Sequence, residues 1–224
     1  MASVEALISS EFISAVLALI LAYFFVRAYR LTRSIYLLGL PVGFSFLAFS
    51  YIFLGMALLY QSEAAVSESF LWLRLITQTF GFAFVAFTYY FSSETERVTK
   101  YFLGIISFAS VISILLFFGA LVVAPPFLEF PSVNVVDECF MIGNLVFLGY
   151  VIYHLVKRLD SSREAIHGLV WAPSAFSLLW LAQYSLLIWG IDGSQTAFVF
   201  AHVARLASLT FFILIYCHSG RVEQ

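Results

Sequence analysis

The chain has 224 residues, of which 62% are hydrophobic and 11% charged, with a formal net charge of −2 and a mean hydropathy of +1.00. A soluble domain carries roughly 25% charged residues, so an ordinary soluble fold is excluded. Seven spans of ~22 residues with short loops use nearly the whole length, which leaves no room for a soluble catalytic or nucleic-acid-binding domain.

Residues 1–11, MASVEALISSE, hold two glutamates and no Lys or Arg. A cleavable signal needs a basic start, so these residues suit an N-terminus left outside. The first predicted span, 9–28, carries Glu11 and ends in the short basic break RAYRLTRS. The second, 34–59, has Pro41 about one and a half turns in. After QSEAAVSES, the third, 69–92, holds Arg74 and, four residues on and on the same face, Gln78. The fourth, 101–123, lies between SSETERVTK and VAPPFLEFPSV. The fifth, 134–156, opens with Asp137 and Glu138 and contains Asn144. KRLDSSREA leads to the sixth, 166–190, with Pro173, Gln183 and Tyr184. After DGSQ, the seventh, 196–217, holds His202 and Arg205, three apart on one face. Apolar runs beyond ~18 residues are read as spans, and polar, Gly or Pro breaks separate them. In lipid, backbone polar groups must be satisfied within the segment, so the spans are helices.

Orientation follows from the basic residues. Arg27, Arg30, Arg33, Arg97, Lys100, Lys157, Arg158, Arg163 and Arg221 all fall on one side in this assignment, and the loops of the other side have none. By the positive-inside rule this places the N-terminus outside and the C-terminus in the cytoplasm. Trp72 and Trp189 near the outer face, and Tyr89, Tyr90 and Tyr101 near the inner one, suit the aromatic belts. Cys139 and Cys217 fall near opposite faces, too far apart for a disulfide, and read as small packing residues.

The chain also resembles itself. The first span aligns with the fifth at an offset of 127, placing Glu11 on Glu138, Tyr23 on Tyr150 and Arg30 on Lys157. The second aligns with the sixth at 132, with Pro41, Phe44, Ser45 and Leu47 on Pro173, Phe176, Ser177 and Leu179. The third aligns with the seventh at 131, with Arg74, Leu75, Thr77, Thr79 and Phe80 on Arg205, Leu206, Ser208, Thr210 and Phe211. The rare residues carry the argument: both intramembrane arginines, both helix prolines and two embedded glutamates are matched pairs. The expected fold is therefore an all-α, seven-helix, single-domain membrane protein with a 3+1+3 parallel repeat. Repeat 1 spans 9–92, the linker helix 101–123 and repeat 2 134–217. This plan is similar to that of the sugar facilitators and their relatives, which share the helix order, the outside N-terminus and prolines in helices 2 and 6. The first and fifth spans here lack that family's prolines, no Pro-Gln motif is present, and arginines stand where facilitators commonly use neutral side chains. The likeness is one of architecture, and it implies a substrate site between the repeats.

A charge in a span costs several kcal/mol by insertion scales and needs a partner. Arg74 and Arg205 lie ~15 Å in from the outer loops, at a level shared with Glu11, Asp137 and Glu138. Each arginine is expected to point into the bundle, within reach of one of these carboxylates. Such pairs either lock helices together or set the polarity of a ligand or gating site. Gln78, Asn144, Gln183, Tyr184 and His202 would add to a polar pocket opening outward. Pro41 and Pro173 are candidate paired hinges. His154, His167 and His218 cluster at inner helix ends without metal-ligand spacing. A retinal Schiff base needs a lysine within a span, and Lys100 and Lys157 stand at helix ends. No Gly-rich phosphate loop, Ser-His-Asp order or CxxC is present. No enzyme activity, cofactor or metal is expected.

The leading expectation is a carrier or facilitator for a small polar or anionic solute, in the plasma membrane. A receptor-like or sensory seven-helix module is the alternative, as is a subunit of a larger membrane complex. The partners expected are the lipid bilayer and a solute, with a homo-oligomer or membrane partner open and no nucleic acid. The topology has a direct test. A cysteine placed within residues 61–68 should react with an impermeant thiol reagent added outside, and one within 93–100 should not. The opposite labelling pattern overturns the orientation.

Overall fold

A computed structural model describes residues 4–32, 38–91, 133–161 and 167–222. Among these residues the chain is entirely helical, with six helices. They are α1 (Val4–Thr32), α2 (Gly39–Leu59), α3 (Ala64–Phe91), α4 (Val133–Ser161), α5 (His167–Asp192) and α6 (Gln195–Val222). These match the first, second, third, fifth, sixth and seventh predicted spans, most of them running several residues past the predicted ends. The predicted fourth span, 101–123, lies outside the described residues, so six helices are described where seven were expected. All six are long and apolar enough to cross a bilayer, and the chain is an integral membrane protein.

The side-chain pattern of α1 shows why. Glu11, Ser14, Ala15, Ala18, Leu21 and Ala22 are buried, whereas Ile13, Val16, Leu19, Ile20 and Tyr23 are exposed. Each set recurs at helical spacing, but the exposed one is the large apolar set. Lipid accepts that face, and water would not. On α4 the exposed residues include Ile142, Val146 and Tyr153, and on α6 Val199, Val203 and Leu214.

Each helix packs against its neighbours in chain order, and α6 packs back on α1, so the six form a closed ring. Contacts along the seams set the directions. Phe24 stacks on Tyr216 at 4.6 Å in the α1–α6 seam, and Tyr90 meets Tyr150 at 6.4 Å in the α3–α4 seam. Both seams join helices that run the same way. The helices α1, α3, α4 and α6 therefore begin at one end, called the upper end below, and α2 and α5 begin at the lower end. Rings cross the middle of the lower half. Phe44 of α2 meets Phe212 of α6 at 5.7 Å, Phe212 meets Phe176 of α5 at 4.7 Å, and Phe176 meets Tyr89 of α3 at 5.8 Å.

The α2–α3 pair makes the closest backbone approach. A Cβ on Gly43 would stand 2.7 Å from Val85 Cγ2 and 2.8 Å from the Gly81 carbonyl oxygen. One on Gly81 would stand 3.0 Å from the Gly43 oxygen, and one on Gly39 2.9 Å from the Phe84 oxygen. Gly39 and Gly43 form the small-xxx-small spacing that lets membrane helices touch through their backbones.

Several expectations need correction. Pro41 lies in the first turn of α2, where a missing N–H leaves no helical bond unmade. Among the described residues only Pro173 stands inside a helix beyond its first turn, so the paired hinge reduces to one kink position. Cys139 and Cys217 are free and exposed rather than packed. Tyr184 is 43% exposed and faces outward, away from the polar interior it was expected to join. The side chains of His167 and His218 lie outside the described residues. His154 packs beside Tyr150, with ring centroids 6.0 Å apart.

The glycine contacts can be tested by substitution. Gly43→Ala and Gly81→Ala should each lower stability by about 1–3 kcal/mol, the usual cost of overpacking. Gly143→Ala and Gly190→Ala meet nothing within 4 Å and should be neutral or slightly stabilising. Thermal unfolding of the four variants in detergent checks the contrast. Equal effects at all four positions would refute the close approach.

Candidate functional site

Glu11 and Arg205 form the centre of the site. Glu11 is fully buried on α1, and Arg205 is 3% exposed on α6. Arg205 Nη2 donates to Glu11 Oε1 at 2.5 Å. The Arg205 guanidinium also lies over the Tyr51 ring of α2, 4.6 Å from its centroid, which is cation–π geometry. One arginine thus ties together three helices and closes the ring at the α6–α1 seam.

His202 precedes Arg205 by one turn and faces the same carboxylate. Its Nε2 stands 2.9 Å from Glu11 Oε1, although off the line that an N–H bond needs. The contact is therefore an ion-pair approach and not an in-line hydrogen bond. The other ring nitrogen, Nδ1, is 2.8 Å from the Phe198 carbonyl oxygen. The imidazole is fixed further by Phe198, 4.4 Å away between centroids, which in turn packs on Trp189.

The α3–α4 seam holds the second pair, and more loosely. Arg74 is 5% exposed, and its Nη1 is 3.9 Å from Asp137 Oδ2. That distance is too long for a hydrogen bond. Glu138 is half-buried beside Asp137 and has no ion pair among the described residues. The carboxylates that meet the arginines are thus Glu11 and Asp137, not Glu138, which was also a candidate. The two seams carry their charges at corresponding places, one pair short and one long.

Buried amides complete the polar layer. Asn144 on α4 and Gln183 on α5 are fully buried, and Gln78 on α3 is 2% exposed. Among the described residues neither amide atom of Asn144 or Gln183 has a hydrogen-bond partner, nor do Gln78 Oε1, Glu11 Oε2 and the Tyr51 hydroxyl. Asn144 lies one turn below Met141, Gln183 one turn below Leu186, and Arg205 one turn below Ala201. Met141, Leu186 and Ala201 form an apolar cluster with Leu187 and Phe198. The Trp180 indole nitrogen donates to the Leu145 carbonyl oxygen at 3.1 Å and pins α4 to α5 near the amides. Below them lie the crossing rings of Phe44, Phe176 and Phe212. The polar groups therefore occupy a layer with apolar packing above it, on the α4–α6 side, and aromatic packing beneath.

Of the residues named from the sequence, Glu11, Arg74, Gln78, Asn144, Gln183, His202 and Arg205 are buried, and Asp137 and Glu138 are half-buried. Sequence reasoning missed Tyr51, whose ring sits under Arg205. The chain matches no family model, no curated protein and no solved structure. The fold and site define a class only: a helical membrane protein with a self-paired charge cluster and unpartnered amides in its interior.

A double-mutant cycle tests the central pair. Glu11→Gln or Arg205→Gln alone should cost about 3–5 kcal/mol, the usual penalty for leaving one buried charge uncompensated. The double variant should recover a large part of that loss. Asp137→Asn, at the longer and partly exposed contact, should cost less than 1 kcal/mol, as roughly expected of a partly solvated pair. Thermal unfolding in nanodiscs measures all four. Additive losses at Glu11 and Arg205 would sink the pairing.

Proposed function

We propose that the chain is a carrier for small polar solutes, with its binding site in the polar layer between two three-helix halves. The observation that carries this reading is the set of buried amides with no partner among the described residues. An unpaired buried polar group costs about 1–3 kcal/mol, and Asn144 and Gln183 bring two such groups each. A solute that donates and accepts hydrogen bonds would satisfy them. The apolar layers above and below the amides have the placement of two gates. No catalytic group enters this reading, so the carrier is not an enzyme.

The proposal includes a 3+1+3 repeat, with the residues 101–123 as a linking seventh helix and the N-terminus outside. Three features support it. Exchanging α1, α2 and α3 for α4, α5 and α6 maps the ring of neighbours onto itself. Both parallel seams carry an arginine–carboxylate contact. The Ser45 hydroxyl donates to the Pro41 carbonyl oxygen and the Ser177 hydroxyl to that of Pro173, each at 2.8 Å. The nine-to-zero basic asymmetry supports a cytoplasmic C-terminus, and the plasma membrane is the proposed location.

Flux through proteoliposomes tests the function. Vesicles containing the protein should take up at least one of glycerol, glycine and lactate faster than empty vesicles. Asn144→Leu with Gln183→Leu should fold, with unchanged or higher stability, and lose roughly tenfold or more in rate. Binding of a solute without any flux would favour the receptor-like alternative. Undiminished flux in the leucine variant would remove the amides from the site.

A further inference from the structure

Among the described residues, five buried or half-buried charged groups and one buried imidazole occupy the upper half of the ring, while Glu5, Glu63 and Glu68 there are exposed. From α1 comes Glu11, from α3 Arg74, from α4 Asp137 and Glu138, and from α6 Arg205 and His202. The α2 helix brings the neutral Tyr51 phenol, and α5 brings the neutral Gln183, while its Asp192 is exposed at the helix end. Two of the three carboxylates meet the two guanidiniums, and the third, Glu138, meets neither. With His202 neutral the set carries one excess negative charge.

Donor arithmetic at His202 points the same way. Both ring nitrogens stand within 3 Å of an oxygen acceptor, Nδ1 at the Phe198 carbonyl and Nε2 at Glu11. A neutral imidazole has one N–H and one lone pair. If Nδ1 donates to the carbonyl, the bare Nε2 faces a carboxylate oxygen at 2.9 Å, and two electron-rich atoms repel. If the hydrogen moves to Nε2, the bare Nδ1 faces the carbonyl. A second hydrogen on the ring gives the carbonyl its donor and sets a cation 2.9 Å from the carboxylate oxygen. Arg205 already holds the same carboxylate oxygen, so Glu11 stays an acceptor.

We propose that Glu11, His202 and Arg205 form a proton-binding site, with the proton on His202 bridging α6 to Glu11 of α1. A hydronium ion gives up one O–H proton to the ring nitrogen lone pair and leaves as water, and imidazole becomes imidazolium. With the proton bound, Glu11 is held by two cations of α6 and the α6–α1 seam is drawn shut. With it lost, the repulsion at Nε2 loosens that seam. In the carrier proposed above, on which this last step rests, the proton is then the coupling ion.

Two measurements on the full chain in lipid test this. The first is 15N spectroscopy of histidine-labelled protein, with the His202 signals identified by their loss in His202→Gln. As pH is lowered, His202 should acquire hydrogens on both ring nitrogens. In Glu11→Gln, the amide can itself donate to Nε2, so the doubly protonated form should be lost over the same range. A His202 that stays neutral in the wild type, or titrates identically in Glu11→Gln, overturns the site. The second measurement uses a pH dye trapped in the vesicles, with glycerol, glycine or lactate added outside. Solute entry should acidify the lumen, and His202→Gln should abolish the acidification. Entry without proton movement in the wild type overturns the coupling and leaves the carrier standing. Glu11-dependent protonation with no entry of any solute upholds the proton site and overturns the carrier.

Discussion

Hydrocarbon cannot solvate a guanidinium, and that constraint organises the upper half of this bundle. In water Arg205 would need no fixed partner. Inside a membrane it takes Glu11 from α1 and the ring face of Tyr51 from α2. The desolvation of both charges offsets much of their attraction, so the pair adds less to stability than to specificity. A rotation of α6 would strand a buried charge and cost several kcal/mol. Register and rotation of three helices are therefore fixed by one contact, where apolar packing against lipid would fix neither.

The rest of the ring relies on a different device. Lipid tails are as apolar as the side chains, so helices gain little from hiding apolar surface from one another, and close packing must hold them. The α2–α3 pair does this through Gly39, Gly43 and Gly81. The α5–α6 pair has no such glycines, and there the Ser208 hydroxyl donates to the Ala175 carbonyl oxygen at 2.7 Å. One half of the ring is thus joined backbone to backbone, the other through side chains. The α6–α1 and α3–α4 seams bring together helices distant in the chain, and charge is placed at these two joints.

The helices were legible because apolar runs of membrane length have few other readings, and polar breaks bound them. The interior arginines, Glu11 and His202 were legible because charge in a span is rare and needs an internal partner. Which carboxylate meets which arginine was not legible. Asp137 and Glu138 are adjacent, so they differ by about 100° around the helix, and the alignment of Glu138 with Glu11 pointed to the wrong neighbour. Tyr51 was hidden among aromatic residues of α2, since nothing local marks one ring as lying under a cation. Tyr184, next to Gln183, shares its depth but not its face. The Gly39–Gly43 spacing was present in GLPVG, a signal for close helix approach that attention to Pro41 obscured.

On the proposed repeat, the two seams differ. On the repeat reading, the offset of 132 places Gln183 where the other half has Tyr51. Tyr51 offers Arg205 a ring face and leaves its hydroxyl unpartnered, whereas Gln183 offers an amide with no partner for either polar atom. The matched arginines differ in the same sense, with contacts of 2.5 Å at the α6–α1 seam and 3.9 Å at the α3–α4 seam. A bundle with both seams tightly paired would be rigid. One with both loose would leave two buried cations short of compensation. Tight pairing fixes the α6–α1 seam although Glu11 Oε2, Arg205 Nε and the Tyr51 hydroxyl have no partner among the described residues, and the unpartnered amides of Asn144 and Gln183 stand on α4 and α5.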